Sequence, residues 1–309
     1  MPPGKKRPRK ANEQTPEAES SGEPSIFHSR HEAEDEIPEN RHPNLQFARS
    51  LLCYPTYMKN LAILMKKEVE APKIIDWEPL RIVFLEEPIR DMLRQSYVCP
   101  SIQPKYVYND WVHLFELDKP IYMEWCMEFF STVEMNCNPK DSDDDSFLRF
   151  CLGGQDQSMS MFALAKALGI YSPEELVVPY FRTYLQHGKR ISTDFDKNTA
   201  WVNLSRIRKF KAGIFSYLKI GSRYLRIIQR FISHTITQRG TNTEKVSIPD
   251  LFLLMCFRDK LNVNIPYCMA KYLCTTAGGL RSESPMCGGV FITLIGQHLR
   301  VNLHTGRVI

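Results

Sequence analysis

The chain has 309 residues, 43% of them hydrophobic and 24% charged, enough apolar mass for one large domain or two small ones with a real core. A net charge of +5 excludes a polyanion binder driven by global charge, so any basic function has to be local. Nine cysteines without regular spacing exclude a disulfide framework and point to free thiols in a reducing compartment.

Residues 1–42 are rich in Pro, Glu and Ser and have too few large apolar side chains to offset the entropy of ordering, so a disordered tail is expected. Lys5, Lys6, Arg7, Arg9 and Lys10 form a compact basic cluster of the kind that nuclear import receptors read, with a solubilising tail as the plainer alternative. An acidic patch follows at 32–36. The basic start runs into Asn, Glu, Thr and Pro, not into the apolar stretch of a secretory signal. The longest apolar runs, at 251–257 and 290–295, are too short to span a bilayer. A soluble, intracellular protein with no membrane partner is the expectation, placed in the nucleus with the cytoplasm as a second compartment.

The folded part is expected over 43–309, either as one domain or as lobes 43–140 and 147–309. Residues 45–69 read as one broken helix or two, interrupted at Pro55, and 77–97 as a further helical pattern with Pro79 at its entrance and Pro88 as a break. Pro120 precedes a helix whose Met123, Cys126, Met127, Phe130 and Val133 recur at helical spacing. The Asp141 to Asp145 cluster reads as a solvated loop tip, because it lacks the ligand spacing of a calcium loop. Residues 147–161 read as two strands around a Gly-containing turn. Gly169 should end a short helix, and Ser172 with Pro173 and two glutamates should start another. Trp201, Val202 and Leu204 suggest a short strand or extended segment. Further helices are expected from Ser247, from Pro266 and from Val290. The fold class is therefore mainly α, a multi-helix domain with one small β-hairpin.

Residues 197–243 contain no Asp or Glu but carry Lys197, Arg206, Arg208, Lys209, Lys211, Lys219, Arg223, Arg226, Arg230 and Arg239. With Ser222 as N-cap and Gly240 as stop, the second half reads as one helix. Lys219, Arg223, Arg226, Arg230 and His234 would share one side of it, opposite Leu225, Ile228, Ile232 and Ile236. Cations hold phosphates without sequence preference, and the interleaved Trp201, Phe210, Phe215, Tyr217, Tyr224 and Phe231 could stack on unpaired bases. The competing reading is a solvated helix face over core aromatics.

No phosphate-binding Gly-rich loop, HExxH or GxSxG motif occurs, and an enzyme is not expected. Cys268, Cys274, Cys287, His298 and His304 lack a close Cys-x-x-Cys pair, so neither zinc nor any other cofactor is expected. The Asp194, Asp196 pair would suit a magnesium-dependent nuclease only with a third carboxylate, and a capping role is the alternative. His113, His187 and His234 have no evident catalytic partner.

Four stretches carry a family resemblance: 111–135, 147–176, 223–240 and 248–273, the last completed by 287–299. Together they resemble the first-open-reading-frame protein of Athila-type plant retrotransposons of the Ty3/gypsy class. The resemblance implies a Gag-like, non-enzymatic product, with no catalytic residues to carry over and with self-association and RNA or DNA binding as its expected activities. A nuclear protein–protein interaction module derived from a mobile element is the alternative. In that case the helices at 248–273 and 290–299 would offer an apolar surface.

Overall fold

The computed structural model describes residues 55–70, 74–99, 102–108, 110–136, 147–178, 181–188, 190–191, 194–237, 242–278 and 285–301. Contacts divide the chain into 1–36 and 37–309, and every described residue belongs to the second unit. The N-terminal basic cluster, the acidic patch at 32–36, the Asp141 to Asp145 cluster, Arg239, Gly240 and His304 lie outside the described residues.

The molecule is mainly helical. Its described helices are α1 (Pro55–Leu64), α2 (Glu78–Ile82), α3 (Glu86–Leu93), α4 (Asp110–Phe115), α5 (Met123–Thr132), α6 (Met161–Leu168), α7 (Pro173–Leu176), α8 (Phe181–His187), α9 (Lys197–Ser205), α10 (Arg223–Phe231), α11 (Ile248–Asp259), α12 (Ile265–Gly278) and α13 (Gly289–His298). The strands are β1 (Gln95–Cys99), β2 (Ile102–Tyr108), β3 (Glu134–Met135), β4 (Leu148–Leu152) and β5 (Gln155–Met159).

Helix α5 is the centre of one half of the core. Every residue from Glu124 to Thr132 is buried, as expected of a helix covered on all sides. α1, α12, α13 and strand β4 pack around it. Helix α13 approaches through two glycines, seven residues apart on one face. A Cβ on Gly289 would stand 2.5 Å from Ile121 Cγ2, and one on Gly296 would stand 2.4 Å from the Trp125 ring. The other half gathers α3, α4, α9, α10 and α11. Trp111 on α4 meets Phe257 on α11 edge-on at 4.5 Å. Lys260 then caps α3, its ammonium donating to the carbonyls of Asp91, Met92 and Arg94 at 2.7, 2.8 and 3.0 Å, which the helix end leaves without partners.

Local signals set many of the boundaries. Ser172 and Ser247 each form a full capping box, with Glu175 and Asp250 respectively. Gly169 ends α6 in the left-handed conformation. The hairpin expected at 147–161 is present: β4 and β5 pair antiparallel through a Gly153–Gly154 turn with positive φ at both residues, the geometry of a two-residue hairpin loop. Two features differ from expectation. Short β3 joins β4 to make a three-stranded antiparallel sheet, and β1 with β2 forms a separate hairpin. Pro100 and Pro104 read in sequence as terminators, yet Pro104 sits inside β2. A two-stranded sheet has only edge strands, where proline is tolerated.

The β4–β5 hairpin is latched to α5 by a buried carboxylate. Glu128 is 2% exposed and accepts from the amides of Gly153 and Gly154, both at 2.7 Å. Thr132 Oγ1 accepts from the Cys151 amide at 2.8 Å. Burial pushes the Glu128 carboxyl up to about 7, against the opposing pull of the two amides. The native state therefore holds a proton that the unfolded chain has released, so the contribution of Glu128 to stability is fully present below the ordinary glutamate range and is lost as pH rises through about 7. Across that interval the loss is on the order of 3 kcal/mol. Urea unfolding of wild type over this range should show the decline, and Glu128→Gln should flatten it.

Candidate nucleic-acid interface

The acid-free stretch begins on α9. Residues 197–205 form a helix, not the strand or extended segment expected from Trp201, Val202 and Leu204. Asp196 caps it, accepting from the amides of Asn198 and Thr199 at 3.0 and 3.1 Å. Its carboxylate is held below the ordinary aspartate range first by the Thr199 hydroxyl. That capping role occupies the carboxylate that a nuclease reading would need. Helix α9 buries Ala200, Trp201 and Leu204, and it ends at Arg206 in the left-handed region, φ 63°.

From Arg206 the chain makes a loop that returns to its own start. The Phe210 amide donates to Asn198 Oδ1 at 2.9 Å, which lays the loop along α9 toward its first turn. The Gly221 amide closes the neck on the Leu204 carbonyl at 2.8 Å. Across the loop, Ser216 bridges to Lys245, and the Tyr217 and Val246 amides donate to Glu244 O and Phe215 O, both at 2.9 Å. Underneath, the fully buried Trp201 stacks on Phe215 (5.4 Å, 20°) and meets Phe210 at 5.4 Å. Outside, Arg206, Arg208, Lys209, Lys211 and Lys219 are exposed, as is Lys197 at the start of α9. None of these six makes an ion pair among the described residues.

Helix α10 follows, capped by Ser222, whose hydroxyl accepts from the Leu225 amide at 3.4 Å. Leu225 and Ile228 are buried as expected, and so are Ile232 and Ile236. The expected single helix through Gly240 is modified. After Phe231 the backbone opens into a π-helical turn, Ile232–Ile236. The turn is held by Thr237, whose hydroxyl donates to Ile232 O at 3.2 Å and contacts buried Asp250 at 3.3 Å. Lys219 also leaves the expected stripe. It ends a short 3-10 turn, Tyr217–Lys219, and precedes the helix. The remaining edge has Arg223 exposed and Arg226, Arg230 and His234 half-buried. Arg223 bonds the Tyr224 hydroxyl at 3.0 Å and lies over its ring at 4.9 Å. Arg230 bonds Thr243 Oγ1 at 3.0 Å and lies over Tyr217 at 5.4 Å. That last contact joins the helix edge to the loop, so the two basic surfaces adjoin.

The aromatic half of the expectation is corrected. Trp201 and Phe210 are core residues, Phe215 lies against Trp201, and Phe231 packs on Trp77 and Phe115, both at 5.5 Å. Tyr217 and Tyr224 are half-buried beneath arginines. What the surface offers is cations for phosphates, with no free row of rings for bases. Sequence reasoning also missed Ile214 and Leu218, which stand 58% and 61% exposed among the loop lysines.

Elsewhere, no group of three His, Cys, Asp or Glu among the described residues is placed to hold a metal. Burial pushes the Cys268 thiol up to about 12 and lowers His113 and His298 from the ordinary histidine value, the opposite of what a nucleophile and a charged acid would need. Comparison with known proteins finds no family model, no curated protein and no solved structure that matches the chain.

Proposed function

We propose that this is a non-enzymatic, Gag-like protein of retrotransposon origin that binds RNA or DNA through the loop 206–219 and the adjoining edge of α10. The observation carrying this reading is the set of five exposed loop cations, Arg206, Arg208, Lys209, Lys211 and Lys219, left without ion pairs among the described residues. A run of like charges held together with no ion pair among the described residues favours a polyanionic partner. The N-terminal cluster Lys5 to Lys10 supplies the import signal, and the nucleus is the site of action. No described helix is long and apolar enough to cross a membrane.

The loop provides a cleaner test than the helix, since Arg230 also holds Thr243 while Arg208, Lys209 and Lys211 make no ion pair among the described residues. Fluorescence anisotropy of the full chain with labelled single-stranded RNA and duplex DNA should give affinity that falls linearly with log salt. The triple variant Arg208→Glu, Lys209→Glu, Lys211→Glu should keep the wild-type Tm and lower that slope by about 2–3, one step per lost phosphate contact. Absence of salt-dependent binding by the wild type would refute the proposal.

The second reading, a protein–protein module, gains support from a different place than the sequence suggested. Helices α11 and α13 bury most of their apolar residues in the core, while α12, which completes the 248–273 stretch, leaves Tyr267, Cys268, Tyr272 and Cys274 half-buried. Exposed apolar side chains are instead found at the end of α2 and on the basic loop.

A further inference from the structure

Helix α2 ends in an apolar tip that the fold does not use. Ile82, Val83 and Phe84 are 67%, 54% and 88% exposed. The tip is ordered by its backbone: the Phe84 amide donates to Arg81 O at 3.0 Å and the Leu85 amide to Leu80 O at 2.8 Å. This is the pattern of a helix C-terminal motif whose left-handed position is normally glycine. Phe84 occupies it with φ 54°. A phenylalanine there is penalised twice, by backbone conformation and by the apolar area that stays 88% exposed.

The tip is rimmed by acid. Residues 76–87 carry Asp76, Glu78, Glu86 and Glu87 against the single Arg81. Glu86 is engaged by Arg81 and Arg90 at 2.8 and 2.9 Å and Glu78 by Arg81 at 2.5 Å, which leaves Asp76 and Glu87 as the exposed acids outside these ion pairs. The basic loop is the counterpart in both respects. Residues 206–219 have five cations and no acid, surrounding the exposed Ile214 and Leu218. One surface is apolar with an acidic rim, and the other is apolar with a basic rim.

We infer that the 82–84 tip of one copy docks on the Ile214–Leu218 region of the loop of a second copy. Apolar contact would supply the attraction and the opposite charges the pairing and orientation. The inference gives surfaces to the assembly part of the proposed function, on which it rests. The contact covers the loop whose cations are proposed to hold nucleic acid, so self-association and nucleic-acid binding compete for the loop, with Arg223 exposed beside it.

The test uses nuclease-treated full-length protein, so that nucleic acid does not bridge copies. Light scattering after size exclusion should show wild-type association that rises with concentration and weakens with salt. Phe84→Gly and Phe84→Asn, both compatible with the left-handed backbone, should raise Tm by a few degrees and abolish association. Leu218→Asp should abolish association too. An equimolar mixture of Phe84→Gly and Leu218→Asp should form a one-to-one complex, since one intact tip and one intact loop remain. If wild type associates and the Phe84 variants associate equally well, or the mixture stays monomeric, this surface is wrong while assembly itself stands. If wild type is a strict monomer at every concentration, both fail. An oligonucleotide titration of Phe84→Gly should show salt-dependent binding at least as tight as wild type, because the variant leaves the loop uncovered; loss of that binding would overturn the assignment of Phe84 to self-association.

Discussion

Trp201→Ala is expected to cost about 3–5 kcal/mol, the range for removing a fully buried aromatic side chain, and to weaken nucleic-acid binding without touching a cation. Trp201 is 0% exposed and lies beneath both Phe210 and Phe215. These two rings anchor the loop on which Arg208, Lys209, Lys211 and Lys219 are displayed. Removing the indole leaves them facing a void, and the loop loses the platform that holds its cations in one place. Trp201→Phe should retain much of the stability, because it refills part of the volume. Urea unfolding gives the stability change, and proteolysis between 206 and 219 reports the loop. An alanine variant with a wild-type loop cleavage rate would show that the loop is held by its backbone hydrogen bonds alone.

A second large effect is expected at the contact between α13 and α5. Gly296→Ala places a methyl where Trp125 Cζ3, Cε3 and Cη2 would stand at 2.4, 2.7 and 2.8 Å. Alanine is the better helix former by about 1 kcal/mol, so a surface glycine would gain from the change. Here the ring must shift within a core in which Trp125 is 7% exposed, and overpacking of this kind costs about 1–3 kcal/mol. The net result should be destabilisation, visible as a lower urea midpoint with an unchanged m-value. Gly296→Leu should prevent folding. A stabilised Gly296→Ala would mean that α13 can slide on α5.

What could be read from the sequence was mostly local. Ser172, Ser222 and Ser247 announced helices because a cap needs only residues within one turn. The Gly153–Gly154 hairpin was legible because the turn demands positive φ. Helix α9 was not. Its residues Asn198, Thr199, Val202 and Asn203 are indifferent helix formers, and the helix is secured by burial of Trp201 under a loop that lies later in the chain. The β1–β2 hairpin was missed because Pro100 and Pro104 look like breaks; Pro100 lies outside the described residues, and Pro104 becomes an edge residue once β1 pairs with β2. At the interface, the excess of charge was plain in the sequence, and so was the apolar face of α10. The fate of the aromatics was not, since Phe231 meets Trp77 across more than a hundred residues of chain. Nor was Phe84, which follows α2 and reads as one more turn of helix.

The hydrogen bonds that close the 206–221 loop also bear on the thermodynamics of any complex it forms. Fixing a flexible residue costs about 1–2 kcal/mol in backbone entropy, so a disordered basic segment of this length loses much of its electrostatic gain when it is ordered by a ligand. Here the neck at Leu204–Gly221, the clasp at Asn198–Phe210 and the bridge at Ser216–Lys245 have already set the backbone during folding. A polyanion that binds as proposed would meet a backbone already set, so its association would be a rigid-body encounter in place of coupled folding.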